Sequence, residues 1–425
     1  MHCSCVATVL VTQIEANNFF GKCLVGKVQS GSIKVGDAVH ALDEDGKKFT
    51  TGRVLKLLAR QGTQQFTVDT AVAGDIIALA GLPTATVNHT ICDPSVEDAI
   101  PSIPIDPPTL SMEFSINSSP LAGRVTGSKL TAAQIGDRLI AESENNVSIK
   151  VVPKPGGETF DVRGRGDLQL GVLMETMRRE GFEFSVSPPQ VVLRRCPDTK
   201  ELLEPIDNVI VDCDEDHSGQ VIQGLSGRKA EIMDMSVDDG RCRITLKCPT
   251  RGLLGYGSEF VNVTRGTGVL NTSLEAYEPF KGEFDDRLSK PAMISMAAGK
   301  VTSYALETLV ARGKLFIEPG DETYEGMVVG EVAKDQVMDC NPTKMKQLTN
   351  MRASGKEDKV KLPPKTVMSL EESLAYMRDD EQIEVTADHI RLRKQCLDRE
   401  ERKRAKKSTQ RKYLVEGEDN SDPFF

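Results

Sequence analysis

The sequence predicts a multidomain α+β protein: an N-terminal β-barrel, two ferredoxin-like α/β sandwiches and a mixed α/β C-terminal domain. Three observations lead there. Residues 6–80 break into short apolar runs separated by tight-turn residues, the pattern of a small closed barrel. A stretch with five prolines, PSVEDAIPSIPIDPP at 94–108, marks a domain boundary. Beyond it the order strand, helix, strand, strand, helix, strand occurs twice. A chain of 425 residues has room for about three or four such domains.

In the first region, Val6–Ile14, Phe20–Val28, Ala38–Leu42, Gly52–Leu58 and Asp75–Leu79 are the strand candidates, with Asp45-Gly46 as a hairpin turn. The barrel is expected over 1–93 and the linker over 94–108. In the first sandwich, 109–195, strands are expected at Thr109–Ile116, Val147–Val152, Phe160–Val162, Phe182–Val186 and Val191–Arg194. Its helices are Thr131–Glu142 and Asp167–Glu180. Leu170, Leu173, Met174 and Met177 of the second helix recur at i, i+3, i+4 and i+7, so they form its buried face. Asp167 is placed to cap its start and Gly181 its end.

The second sandwich, 196–284, has strands at Asn208–Asp212, Arg241–Lys247 and Gly268–Tyr277, and helices at His217–Ile232 and Tyr256–Thr264. The region 285–407 mixes a helix at Val301–Val310 with strands at Leu315–Ile317 and Met327–Val332. Ser369–Arg378 is a well-marked helix: Ser369 caps it, Glu372 completes a capping box, and Leu370, Leu374 and Met377 face inward. Gln382–Thr386 and Ile390–Arg393 alternate like an edge hairpin. Leu397–Lys407 reads as a basic helix or tail, and 408–425 as a disordered one.

Two basic blocks stand out in a chain of net charge −10. Asn341–Lys365 carries seven Lys/Arg against two Asp/Glu, with the turn formers Asn350, Ser354, Gly355 and Pro363-Pro364. Arg391–Tyr413 carries eleven against three. Segregated positive charge attracts polyanions whatever the total, and the alternative for each block is a solvated surface. Arg163 and Arg165, in the turn RGRG, and Arg251, in TRGLLG, sit on glycine-rich turns from which an arginine can reach a phosphate. The same turns could equally pack domains together, as could Arg178-Arg179.

No GxxxxGK[ST], HExxH, CxxC or GxSxG pattern occurs in the 425 residues, so the familiar nucleotide, zinc and nucleophile motifs are missing. The ten cysteines are scattered, which fits reduced structural thiols. The cluster Asp212, Asp214, Glu215, Asp216 and His217 could hold a cation but reads better as a loop ending in a helix cap. No apolar run reaches the length of about 18 residues that a membrane helix needs, and no basic leader with a long apolar region opens the chain.

Several long stretches carry a resemblance: VRGRGDLQLGVLMETMRREGFEFSV, SPPQVVLR, PTRGLLGYGSEFVNVTRGTGVL, ARGKLF and LTNMRASGKED, with GRVLKLL, AVAGDIIALAGL and TICDPSVEDAIPSIPIDPPTLSMEFSINSSPLAG towards the N-terminus. The chain resembles the BipA/TypA family of translational GTPases from the barrel to about Arg404. The region Leu121–Lys129 departs from the usual pattern. The resemblance implies domains like the second, third and fifth of elongation factor G, followed by the family's own C-terminal domain. It also implies a G domain, with GTP and Mg, that these residues do not contain, so no cofactor and no catalytic or metal-binding residue is expected here.

The implied partners are the ribosome, rRNA and A-site tRNA, with a monomer off the ribosome and no membrane. The loop at Asn350–Gly355 is expected at the RNA, through Asn350, Arg352 and Ser354 with Lys344, Lys346, Lys356, Lys359, Lys361 and Lys365. Arg163, Arg165, Arg251, Arg402 and Arg404 are the accessory contacts. The competing expectation is a ribosome-assembly or protein-interaction scaffold with no A-site role. The family occurs in bacteria and organelles, so cytoplasm, plastid and mitochondrion all remain open.

Overall fold

The computed structural model describes residues 6–17, 19–62, 64–103, 105–124, 129–196, 199–282, 291–334, 336–345 and 362–404. They belong to two compact units. The first holds Met1–Pro108 with Gly136–Val152 and Val162–Arg165, and the second holds Thr109–Ile135, Pro153–Asp161 and Gly166–Phe425.

The first unit begins with β1 (Thr8–Asn17), β2 (Gly21–Ser30), β3 (Ser32–Lys34), β4 (Ala38–Leu42), β5 (Lys48–Arg53), β6 (Lys56–Gln61), β7 (Gln64–Val68), β8 (Thr70–Val72), β9 (Ile76–Ala80) and β10 (Thr90–Cys92). Eight of these strands follow the path β5-β4-β10-β1-β2-β9-β6-β7, and β3 pairs β8 separately. Inward residues such as Val11, Leu24, Val28, Leu57, Ile77 and Leu79 fill the core. The expected closed barrel has no β5–β7 ladder among the described residues. The expected strand Gly52–Leu58 is in fact two. The chain turns at Val54 and Leu55, whose N–H groups donate to Asp37 O (3.0 Å) and Ala80 O (2.8 Å). The turn residues are themselves apolar and carry no Gly, Pro, Asn or Asp, so nothing in the pattern marks the break.

Next come β11 (Leu110–Ile116), α1 (Ala132–Asn145), β12 (Lys150–Pro153), β13 (Thr159–Gly164), α2 (Asp167–Arg179) and β14 (Phe184–Val186), in the expected order. The apolar face of α2 is buried as predicted, with Leu170, Met174 and Met177 all at 0% exposure. Its start differs from expectation. Gly166 occupies the cap position, and Asp167 lies inside the first turn, accepting from Leu168 N at 2.8 Å. Gly181 follows the helix at φ +83°, in the left-handed region that glycine enters without strain.

The short strands β15 (Gln190–Val191) and β16 (Arg194–Arg195) lead to β17 (Leu202–Asp214), α3 (Glu215–Gly227), β18 (Glu231–Asp238), β19 (Arg241–Pro249), α4 (Thr250–Leu253), α5 (Tyr256–Val263) and β20 (Val269–Pro279). The path is β16-β17-β19-β18, with β20 also on β17. Val209, Val211, Ile244, Leu246, Val221 and Phe260 share its core. The helix expected over His217–Ile232 ends at Gly227, and the strand β18 follows it. Lys229 turns the chain there at φ +65°. β18 escaped sequence reading because the expected helix ran on through Ile232, over the first two residues of the strand.

The remaining elements are β21 (Ala292–Ser295), β22 (Gly299–Lys300), α6 (Ser303–Val310), β23 (Gly313–Leu315), β24 (Glu322–Thr323), β25 (Val328–Val332), β26 (Met338–Cys340), α7 (Leu370–Tyr376), β27 (Glu381–Val385) and β28 (Ile390–Lys394). The capping box of α7 forms as expected: Ser369 Oγ accepts from Glu372 N and Glu372 Oε2 from Ser369 N. The hairpin β27–β28 also forms, but β27 is not a free edge. It pairs with β14 through Phe184↔Val385, Ser185↔Glu384 and Val186↔Ile383, so the sheet runs β11-β14-β27-β28. Pairing at a sequence separation near 200 leaves no local signal. No helix among the described residues is long and apolar enough to cross a membrane.

Candidate functional site

The basic loop grows from a fixed base. On its N-terminal side, Asn341 folds an Asx turn, its Oδ1 accepting from Thr343 N at 3.0 Å and Thr343 Oγ1 at 2.8 Å. Thr302 caps α6 by accepting from Ala305 N at 3.2 Å, and its hydroxyl donates to Lys344 O at 2.6 Å. On the C-terminal side, Leu362 packs against the cluster around Met293, Leu306, Tyr324 and Val329. Thr366 N donates to Leu315 O at 2.8 Å. Both ends are thus tied to α6 and β23, and Lys344 is exposed at one of them. Lys346, Asn350, Arg352, Ser354, Lys356, Lys359 and Lys361 lie outside the described residues.

Lys365 stands at the other end. Its ammonium meets Glu318 Oε1 at 2.8 Å and Asp321 Oδ2 at 3.4 Å. The Glu318 hydrogen bond, ahead of burial, raises its pKa. It therefore serves as an anchor of the loop's return. Arg251 is also engaged: Nε donates to Glu204 Oε2 at 2.6 Å, the guanidinium also bonds Gly282 O, and it stacks on Phe280 at 4.5 Å. With Glu204 at 0% exposure this is a buried ion pair, and the TRGLLG turn packs rather than projects. Gly255 of that turn starts α5 at φ +72°.

Arg402 is held in the short helix 399–404, donating to Cys396 O at 3.2 Å and to Leu397 O, with Asp339 at 3.9 Å. Arg404 is exposed, as is Arg165, while Arg163 is half-buried. The acidic cluster makes no group of three metal-ligating side chains among the described residues. Asp214 instead accepts from Thr267 Oγ1 at 2.8 Å.

What sequence reasoning missed is a buried polar joint. Glu384, at 0% exposure on β27, accepts from Tyr324 OH (2.7 Å), Ser119 Oγ (2.9 Å), Asn117 Nδ2 (3.0 Å) and Arg391 Nη1 (3.3 Å). Asn117 Nδ2 also donates to the buried Glu183 at 2.7 Å. Arg393, at 3%, reaches Ser185 Oγ (3.2 Å), Ser118 Oγ (3.1 Å) and Gln382 Oε1 (2.9 Å). Lys394, at 2%, meets Asp380 at 2.9 Å and Glu381 at 2.8 Å. Burial together with the Glu384 carboxylate pushes the Tyr324 phenol well up, so it stays a donor. Charged groups survive burial only when partnered in this way. The joint ties Tyr324 and the β27–β28 hairpin to the segment after β11 and to β14.

Beside the joint lies an open cavity of about 1450 Å³ bordered by α2, α7 and the β27–β28 turn. Arg178 crosses its rim: it grips Glu175 by Nε (2.8 Å) and Nη2 (3.0 Å) and donates from Nη1 to Ala387 O at 2.9 Å. Arg179 shares Glu175 at 2.8 Å. The hydrogen bond from Arg178, with Arg179 helping against the smaller cost of burial, lowers the Glu175 carboxyl to about 2. A depressed carboxyl contributes stability above its unfolded value of 4.5, and that contribution is lost as pH falls through the folded value of about 2. Glu175→Gln should therefore give a shallower acid limb in circular dichroism between those values, with about one proton fewer taken up on unfolding. An unchanged limb counts against the ion pair.

Residues 6–94 match the family model for elongation factor G domain 2, residues 201–288 that for the elongation factor G C-terminus, and residues 290–399 that for the TypA/BipA C-terminal domain. Over 400 residues the chain is 39% identical to the large ribosomal subunit assembly factor BipA of Bacillus subtilis (strain 168), covering 93% of this chain and 64% of that protein. For the protein of the same name from Haemophilus influenzae the identity is 40% over 400 residues, covering 94% and 64%. For that of Salmonella typhimurium it is 40% over 397 residues, covering 93% and 65%. The chain thus spans slightly less than two thirds of the length of these relatives. Its elongation-factor-G-like modules, the TypA/BipA C-terminal domain and the sustained identity agree, and the chain belongs to the BipA/TypA family, matching its C-terminal portion.

Proposed function

We propose that this chain is the ribosome-binding portion of a BipA/TypA-like translational GTPase acting in ribosome assembly or translation. The observation that carries the reading is the 39–40% identity sustained across 93–94% of the chain to relatives named large ribosomal subunit assembly factors. In this reading GTP and Mg belong to a G domain outside these 425 residues, which hold no phosphate-loop motif. The chain binds rRNA as a monomer, and the segment 341–365 is the contact tip near A-site tRNA. Positive charge on a loop with anchored ends supports that role, because an RNA of irregular sequence is gripped through its phosphates. Arg251, Lys365 and Arg402 act in this reading as internal braces, and of the expected contact residues that the structure describes Arg165, Lys344 and Arg404 are exposed.

The test is co-sedimentation with ribosomes across a salt series. Neutralising Arg352, Lys356 and Lys359 to glutamine should weaken binding and reduce the salt slope by about three, roughly one per lost phosphate contact. Unchanged sedimentation of the triple variant sinks the assignment of the loop. Selective binding to isolated subunit precursors rather than to complete ribosomes would favour an assembly scaffold with no A-site role.

A further inference from the structure

We propose that the outer edge of β18 is a docking strand for an extended protein segment in which basic and apolar residues alternate. Among the described residues β18 ends its strand path and pairs with β19 alone, and all eight of its residues are exposed. A free strand edge offers unsatisfied N–H and C=O groups and is a template for another strand unless it is blocked. Here no lysine or proline blocks it: the sequence from Glu231 to Asp239 is EIMDMSVDD. A register shift between Ile232 and Asp234 distorts the first part, which leaves Asp234–Asp238 as the regular docking length.

The side chains there sort by face. Met235 and Val237 stand opposite Ile244 and Cys242, which are buried in the core of this sheet. They extend that apolar surface outward as a ledge, at 45% and 49% exposure, next to Ile232 at 46%. Asp234, Ser236 and Asp238 alternate with them and so project from the opposite face. Glu231 is engaged by Lys281 at 2.9 Å, whereas Asp234, Asp238 and Asp239 are exposed. A strand added here meets carboxylates on one face and aliphatic and thioether groups on the other. The complementary segment therefore carries Lys or Arg at one parity and Val, Ile or Leu at the other, with main-chain bonds supplying affinity. On the polar face Arg243 and Arg241 of β19 stand opposite Ser236 and Asp238, so it is the carboxylates at the outer edge itself, Asp234 and Asp238, that would repel the phosphates of a nucleic acid. This inference stands independently of the ribosomal reading.

The test is fluorescence anisotropy with the full chain and a short labelled peptide alternating Lys and Val. Two control peptides replace Lys by Glu or place a proline at the centre. The Lys/Val peptide should bind saturably and protect the β18 amides from hydrogen exchange. The Glu peptide should not bind, and both the proline peptide and the Met235→Lys variant should weaken binding at least about tenfold. Met235 is exposed, so circular dichroism should show Met235→Lys folded; a second variant, Val237→Lys, gives the same readout. No saturable binding, equal binding of the proline peptide, or indifference to both lysine variants overturns the proposal. So does tighter binding of a single-stranded oligonucleotide at β18, or self-association of the chain that Met235→Lys abolishes.

Discussion

Glu384→Ala should destabilise the second unit by about 3–5 kcal/mol, the cost of removing one partner from a buried ion pair. Four donors converge on this carboxylate from β27's own hairpin, from the segment after β11 and from the segment before β25. Removing it strands Asn117, Ser119, the Tyr324 hydroxyl and the Arg391 guanidinium, and each buried donor left unmet carries its own desolvation penalty. Glu384→Gln keeps the volume but turns an amide N–H₂ towards donors, so it should recover only part of the loss. Chemical denaturation measures the total. Hydrogen exchange locates it: protection should fall in β14, β27 and β28 and persist in β17 and β19. A loss below about 1 kcal/mol would mean that water replaces the carboxylate and that the joint is not closed.

Phe184→Ala should cost about 3–5 kcal/mol by a different route. Phe184 is fully buried on β14, and its ring stacks on Phe114 at 5.6 Å between centroids. In register it stands between Ile116 of β11 and Val385 of β27. The truncation opens a cavity in the one strand that links these two neighbours, where main-chain ladders on both sides limit collapse. Phe184→Leu keeps most of the volume and should cost less than about 1.5 kcal/mol. If the ribosomal reading holds, both destabilised variants should also lose ribosome binding as the temperature approaches their lowered midpoints, whereas the Arg352, Lys356 and Lys359 substitutions should weaken binding without moving the midpoint. Equal stability of Phe184→Ala and the parent chain would count against β14 as the tie between the two sets of strands.

Much of this architecture was legible in the residues because local physics sufficed. The face of α2, its glycine exit, the Ser369 capping box, Ala38–Leu42 and the β27–β28 hairpin all rest on spacings of a few residues, and each appears where expected. The family, too, lay in long contiguous stretches. Tertiary contacts decided the rest. Nothing near position 384 in the sequence indicates that a glutamate there will be buried among Asn117, Ser119 and Tyr324, because those donors are supplied by distant segments. Nor does composition separate a cation that projects from one that braces: Lys365, Arg251 and Arg402 read like Lys344 and Arg404 until their carboxylate and carbonyl partners arrive through folding. β18 was hidden because the expected helix ran on into Glu231 and Ile232, and only the pairing with β19 makes that stretch a strand. Periodicity and capping are short-range and belong to the chain; the pairing of buried charges and of strand edges is long-range and belongs to the fold.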